Sequence, residues 1–148
     1  MSEHRANVKW ERKTSDFVYE TYDRTHEITF EGGSKIHGSA AAEFAGKREL
    51  ANPEELLAGA LASCHMLTFL AVAARSRLIV DRYEDKPVAI LDKNANGKLA
   101  VTEIKLSPKV VFSGEMPTAE KVQQLHDKAH ANCFIANSVA CRVTIDAA

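Results

Sequence analysis

Three cysteines and their neighbouring histidines are the residues of this chain best able to do chemistry. Cys64 and His65 sit side by side in the stretch Asn52 to Ala74, NPEELLAGALASCHMLTFLAVAA, which carries no formal charge from Leu56 to Ala74. A purely structural helix would more simply carry Leu or Ala at those two positions, so the thiol and the imidazole are the functional clue. Cys133 follows in HANCFIANS, three residues after His130, and Cys141 lies in SVACRVTID.

Three chemistries are open to these groups. Zinc takes thiolates and imidazoles, but Cys64-His65 and His130-x-x-Cys133 lack the paired short spacings of structural zinc sites. A protease or transferase would use Cys64 as nucleophile and His65 or His130 as base; adjacent helical residues point about 100° apart, so His65 is badly placed to act on Cys64. Redox chemistry would make Cys64 a thiolate that attacks an oxidant and Cys133 the thiol that resolves it. That chemistry needs a cation to lower the Cys64 pKa and a second thiol within reach, parts that Arg24, Cys64 and Cys133 supply. Cys141 reads as a small buried hydrophobe. The run Asp92 to Glu103 fits an EF-hand pattern, but its flanks are strand-like and only Asp92 and Glu103 bring carboxylates, so no calcium loop is expected.

The element that must position Cys64 is a helix. Asn52 is a good N-cap, Pro53 suits the first helical position, and Glu54 and Glu55 put negative charge at the helix N-terminus. Glu55, three residues after the cap, gives the spacing of a capping box. The charge-free run is long enough to cross a bilayer, for which about twenty apolar residues suffice. Its Ser63, Cys64, His65 and Thr68 and its many alanines argue against a span. The helix, roughly 35 Å long at about 1.5 Å per residue, is expected through the centre of the molecule or through a core shared with a partner.

Around it the pattern is mixed. Val8 and Trp10, Phe17 and Tyr19, then His26, Ile28 and Phe30 alternate as strands do, with Gly32 and Gly33 at a turn. Arg24 and His26 share the apolar parity of the last segment. The Arg24 guanidinium either reaches water from a buried stem or is paired inside by a carboxylate, for which Glu54 and Glu55 are candidates. Residues 34–51 read as a strand end and a loop holding Arg48, a second candidate arginine. SRLIVDRYEDKP reads as a polar exit from the helix, PVAIL and TEIKLSPKVVF as antiparallel strands joined around KNANGK with Asn96-Gly97 at the turn. Thr118 caps a second helix with the stripe Val122, Leu125 and Ala129, running to about Ala131. Val139, Cys141, Val143 and Ile145 share one face of a last strand.

At 148 residues, 45% hydrophobic and 26% charged, the chain is expected to form one soluble domain over residues 1–148. A net charge of -1 and a pI near 6.6, with no run of Lys and Arg, argue against nucleic acid and against anionic membrane. The first residues lack an apolar signal core, which points to the cytoplasm. Three cysteines are too few for a disulfide scaffold, and a cytoplasmic disulfide would be transient and chemical.

The NPEELL...SCH segment, followed some way on by a cysteine after a helix in HANCFIANS, resembles the OsmC/Ohr family of hydroperoxide-reducing proteins. YDRTHEITFEGG and DKNANGK look like its OsmC-like branch, and the resemblance covers nearly the whole chain. It implies an α+β fold: an N-terminal antiparallel sheet, central buried helices, a second small sheet with a helix, and an intertwined homodimer with active sites at the subunit interface. It implies that Cys64 is the peroxidatic thiolate, that Cys133 condenses with its sulfenic acid into a disulfide, and that a dithiol reductant, a lipoyl-bearing protein in one branch, restores both. No metal, haem, flavin or other cofactor is implied. The family's glutamate maps to Glu54, ten residues before Cys64. Ten helical residues span about 15 Å, so an arginine must lie between them, Arg24 first and Arg48 second, from either subunit. Phe134 stands where the family commonly has Pro. Apolar Met66, Leu67, Phe69 and Leu70 around Cys64 lean toward alkyl or lipid hydroperoxides. The alternative function is a non-catalytic module that binds a small apolar ligand in the dimer cleft.

Overall fold

The computed structural model describes residues 1–147 and is an α+β protein whose chain divides after Leu56 into two compact units. In the first, strands β1 (Ala6–Lys9), β2 (His26–Phe30) and β3 (Lys35–Gly38) form an antiparallel sheet in the order β1-β2-β3. Val8 lies opposite Ile28, and Ile28 opposite Ile36, so one apolar row crosses all three strands. The β2–β3 turn closes where expected, with Gly33 at a φ of 92° and its N–H donating to the Phe30 carbonyl at 2.9 Å.

The expected alternation through Phe17 and Tyr19 is not a strand. Residues 10–25 form an irregular loop whose apolar side chains pack on each other: the Trp10, Phe17 and Tyr22 rings lie with centroids 5.1–6.2 Å apart. Trp10 Nε1 donates to the Asp23 carbonyl at 2.7 Å. Trp10 and Phe17 stay exposed, Phe17 at 63%, so the apolar alternation reflects ring-on-ring contact in a loop and not a buried strand face.

Helix α1 (Pro53–Arg75) begins as its cap residues dictate. The Glu55 N–H donates to Asn52 Oδ1 at 2.9 Å, and Asn52 Nδ2 donates back to Glu55 Oε1 at 2.6 Å. This is a reciprocal cap that satisfies an otherwise orphaned helix donor.

In the second unit, from Leu57 onward, α1 is followed by β4 (Ile79–Glu84), β5 (Val88–Lys93), β6 (Leu99–Leu106), β7 (Lys109–Ser113), α2 (Ala119–Asn132), a short 3-10 turn at Ala136–Ser138, and β8 (Arg142–Ile145). Two sheets result: a β4-β7 ribbon, and a β5-β6-β8 sheet in which β8 runs parallel to β6. The hairpin around KNANGK forms as expected, with Gly97 at a φ of 71° and Asn94 Oδ1 accepting from the Asn96 and Lys98 amides. Asp92 and Glu103 lie on its two strands, and Glu103 is bonded to Arg142 and Thr144.

SRLIVDRYEDKP is not merely an exit. Arg77, at a φ of 59°, turns the chain, the Leu78 N–H donates to the Ala73 carbonyl, and Ile79–Glu84 becomes strand β4. A bulge between Val80 and Arg82 separates the two half-buried residues Val80 and Tyr83 by three positions rather than two, which erases the strand period from the sequence.

One stripe of α1 is buried: Ala58, Leu61, Ala62, His65, Phe69 and Ala73, at helical spacing. Its first half packs with Ile104 and Leu106 against the β5-β6-β8 sheet, its second with Phe112, Leu125 and Ala129 between the ribbon and α2. Burial of Leu61, Phe69, Ile104, Leu106 and Leu125 contributes about 2 kcal/mol each. The helix is not buried all round by this chain, since Leu67 on its other side is 61% exposed. Cys64 and His65 fall between the two apolar clusters, where α1 has least packing to lose to a polar group.

In the first unit Gly46 is held by close approach. A Cβ there would stand 1.7 Å from the Ala40 carbonyl oxygen, a backbone atom with no easy retreat. Gly46→Ala is expected to cost about 2 kcal/mol or more, read as a lower urea midpoint; an unchanged midpoint would contradict this packing.

Candidate active site

The site is built where α1 faces the end of α2. Thr118 Oγ1 accepts from the Lys121 N–H at 3.1 Å and starts α2, while Val122, Leu125 and Ala129 turn its apolar stripe inward. Cys133 is its C-cap and is fully buried, with its N–H donating to the His130 carbonyl at 3.3 Å. The chain then tightens. The Asn137 N–H donates to the Cys133 carbonyl at 3.0 Å and the Ala136 N–H to Cys133 Sγ at 3.4 Å. This curl turns the amides of Phe134 and Ile135, and the Cys133 thiol, toward the half-buried sulfur of Cys64.

The consequence is an asymmetric pair of free thiols. Burial pushes the Cys64 pKa up, but the Ile135 amide, the Cys133 thiol and the Phe134 amide outweigh it and hold the thiol below its ordinary value. Thr68 adds least, because its hydroxyl proton goes to the Cys64 carbonyl at 2.8 Å. Burial pushes Cys133 up; the Ala136 amide opposes this, while donation to the Cys64 sulfur and the charge there raise it further. The pair therefore favours a Cys64 thiolate beside a Cys133 thiol. Cys141 packs on the α1 core and takes no part.

The matching family model, that of OsmC-like proteins, covers residues 46–148, a span that contains this thiol pair. The chain belongs to the OsmC-like family. It is 46% identical to an OsmC-like protein of unknown function from Vibrio cholerae, with 99% of each chain covered and a TM-score of 0.95. An organic hydroperoxide resistance protein from Elizabethkingia anophelis shares the fold at 17% identity and a TM-score of 0.74, over 100% of this chain and 98% of that one. Another from Bacillus subtilis does so at 19% identity and a TM-score of 0.67, over 98% and 97%. No curated protein matches the chain by sequence.

In this OsmC-like chain the other expected site residues belong to the first unit and to the start of α1. Arg24 is not paired by Glu54 or Glu55. Its two Nη atoms donate to the Tyr22 and Tyr19 carbonyls at 2.7 and 2.6 Å, and its Cζ lies 3.9 Å from the Tyr22 ring centroid. Carbonyl dipoles and an aromatic face thus serve where a carboxylate was expected. The arginine lines an apolar cavity of about 380 Å³ with Val8, Trp10, Phe17 and Tyr22. Glu54 sits half-buried in the first turn of α1, and Glu55 is taken up by the Asn52 cap. Arg48 is exposed and lines a separate, smaller cavity with Glu43 and Glu55.

His65 does not serve Cys64. Its Nε2 lies 3.0 Å from Nδ1 of His126, and both rings are buried. Burial first, then His126 and His130, press the His65 pKa down to about 4, so it stays neutral at pH 7. His126 escaped the sequence reading although its position beside Leu125 and one turn from Val122 and Ala129 marks it as an inward residue. Among the described residues no three His, Cys, Asp or Glu side chains converge as a metal site.

The asymmetry makes a prediction for alkylation. A lowered pKa moves the rise in thiolate fraction to lower pH, so iodoacetamide should label Cys64 before Cys141 and Cys133, with a midpoint below that of an ordinary thiol. Removing the donor in Cys133→Ala should shift that midpoint upward. A Cys64 midpoint at or above the ordinary value, read by peptide mass spectrometry across pH, would contradict the geometry.

Proposed function

We propose that this OsmC-like protein is a thiol peroxidase that reduces organic hydroperoxides, and hydrogen peroxide less well, in defence against oxidative stress. The observation that carries the reading is the Cys64–Cys133 pair, in which the more acidic sulfur is the half-buried one and its neighbour is a protonated thiol donating to it. The names of the Elizabethkingia anophelis and Bacillus subtilis proteins agree with it. The Cys64 thiolate attacks the terminal oxygen of ROOH, the O–O bond breaks, and the alkoxide takes a proton to leave as ROH. Cys64 is then a sulfenic acid. The Cys133 sulfur attacks that sulfur, the S–O bond breaks, and hydroxide leaves as water with the Cys133 proton. A dithiol reductant, such as a lipoyl-bearing protein, returns both cysteines to thiols and is itself oxidised to a disulfide.

In this reading the active unit is an intertwined homodimer in the cytoplasm. A second copy covers the exposed side of α1, and Arg24, supported by Glu54, orients the peroxide from one subunit or the other. The reaction needs no metal or cofactor, because sulfur itself is oxidised. A second reading, a module that binds a small apolar ligand without turnover, is favoured by one observation: the aromatic cavity at Arg24 is large enough for such a ligand.

Peroxide consumption with excess dithiol separates the two. Cys64→Ser should abolish turnover of cumene hydroperoxide, and Cys133→Ser should permit one oxidation and then overoxidation of Cys64 to sulfinic acid. Cys141→Ser should match the wild type. Absence of turnover in the wild type would overturn the peroxidase reading in favour of the binding module, and turnover that survives Cys64→Ser would contradict the role of Cys64.

A further inference from the structure

The second unit holds another cavity, of about 240 Å³, lined by Val110, Phe112, Met116 and Val122 on its apolar side and by Gln123 and His126 as its polar groups. His126 is fully buried yet belongs to this lining, so it forms the closed end. Its Nδ1 is committed to His65 at 3.0 Å and one ring face lies against Phe69, with centroids 4.4 Å apart. Its Nε2 is buried and has no hydrogen-bond partner among the described residues. Such orphans are uncommon, since a buried polar atom without a partner is costly.

Water alone fits this space poorly. The mouth opens to solvent past Met116 and Gln123, but at the inner end Phe112 and Val122 leave a water on His126 Nε2 short of the about 2–4 polar partners it needs. An occupant with an apolar body and one polar group fits better. A cavity of about 150 Å³ already accepts benzene, so this one has room for a single substituted ring. No Lys, Arg, Asp or Glu lines it among the described residues, so an ionised ligand would meet no counter-charge. The polar group is further defined by the histidine pair. One proton is shared between His65 Nε2 and His126 Nδ1, and His126 Nε2 is a donor in one tautomer and an acceptor in the other. A hydroxyl both donates and accepts and so serves either.

We propose that this cavity is a binding site for a small neutral hydroxyl-bearing ring, a phenol or an aryl alcohol, seated with its oxygen on His126 Nε2 and its ring against Phe112 and Val122. The site stands apart from the thiol chemistry and does not depend on it.

The test is titration of histidine-labelled protein with p-cresol and with toluene, its analogue lacking the hydroxyl, followed by ring-nitrogen NMR and calorimetry. Saturable p-cresol binding about ten-fold tighter than toluene, with the His126 Nε2 resonance shifted, is the expected result. His126→Phe should bring the two ligands to within about two-fold of each other. Val122→Trp should fill the cavity and abolish binding. Should that core substitution or His126→Phe fail to fold, Met116→Trp, placed on an exposed side chain of the rim, should weaken p-cresol binding without disturbing the core. Absence of saturable p-cresol binding at millimolar concentration, equal affinity for toluene in the wild type, or undiminished binding in Met116→Trp would overturn the proposal.

Discussion

A thiol set into an apolar helix resists ionisation, because burial penalises the charged form more than the neutral one. In the second unit that penalty is met by uncharged donors: two backbone amides, from Phe134 and Ile135, and the proton of Cys133. They can act only because α2 stops at Cys133 and the chain curls at once into the turn at Ala136–Ser138. The packing of α2 against α1 through Phe69, Leu125 and Ala129 fixes where α2 ends. The core contact therefore helps to set the acid–base character of the site. The same curl buries Cys133 and raises its pKa, which gives identical side chains different acidities.

The helix that carries Cys64 divides its work along its length. Leu61 and Ala62 serve one sheet, Phe69 and Ala73 serve the other with α2, and the interval between them holds the groups that do not pack as hydrocarbon. His65 takes the inward direction in that interval and finds His126 rather than Cys64, consistent with the angle between adjacent helical side chains. In the first unit, Arg24 is held by two carbonyls and by the Tyr22 ring, contacts that neutralise part of its charge while leaving its position well defined.

Much of this was legible from local signals. The Asn52-Pro53-Glu54-Glu55 start, the Thr118 cap and the Asn96-Gly97 turn each rest on short-range chemistry, and each stands where the sequence placed it; the strand expected through Val139, Cys141, Val143 and Ile145 forms only over Arg142–Ile145, although all four side chains pack on one core. Strand β4 was hidden because its bulge destroys the period that would have announced it. Phe17 and Tyr19 gave a false strand because their alternation comes from ring-on-ring contacts in an exposed loop and not from a buried sheet face. The amides that lower the Cys64 pKa have no signature at all, since every residue but proline carries one. Phe134 supplies one of them, and a proline there would remove that donor. Within its own chain Arg24 meets two carbonyls and the Tyr22 ring rather than Glu54 or Glu55, and backbone acceptors leave no mark in a sequence.

The central claim is that Cys64 and Cys133 act as one redox pair. It is tested most directly by treating the reduced protein with one equivalent of cumene hydroperoxide and mapping its disulfides by mass spectrometry. The account predicts a rapid Cys64–Cys133 bond with Cys141 left as a free thiol. Three unmodified thiols, or a bond that includes Cys141, would contradict it.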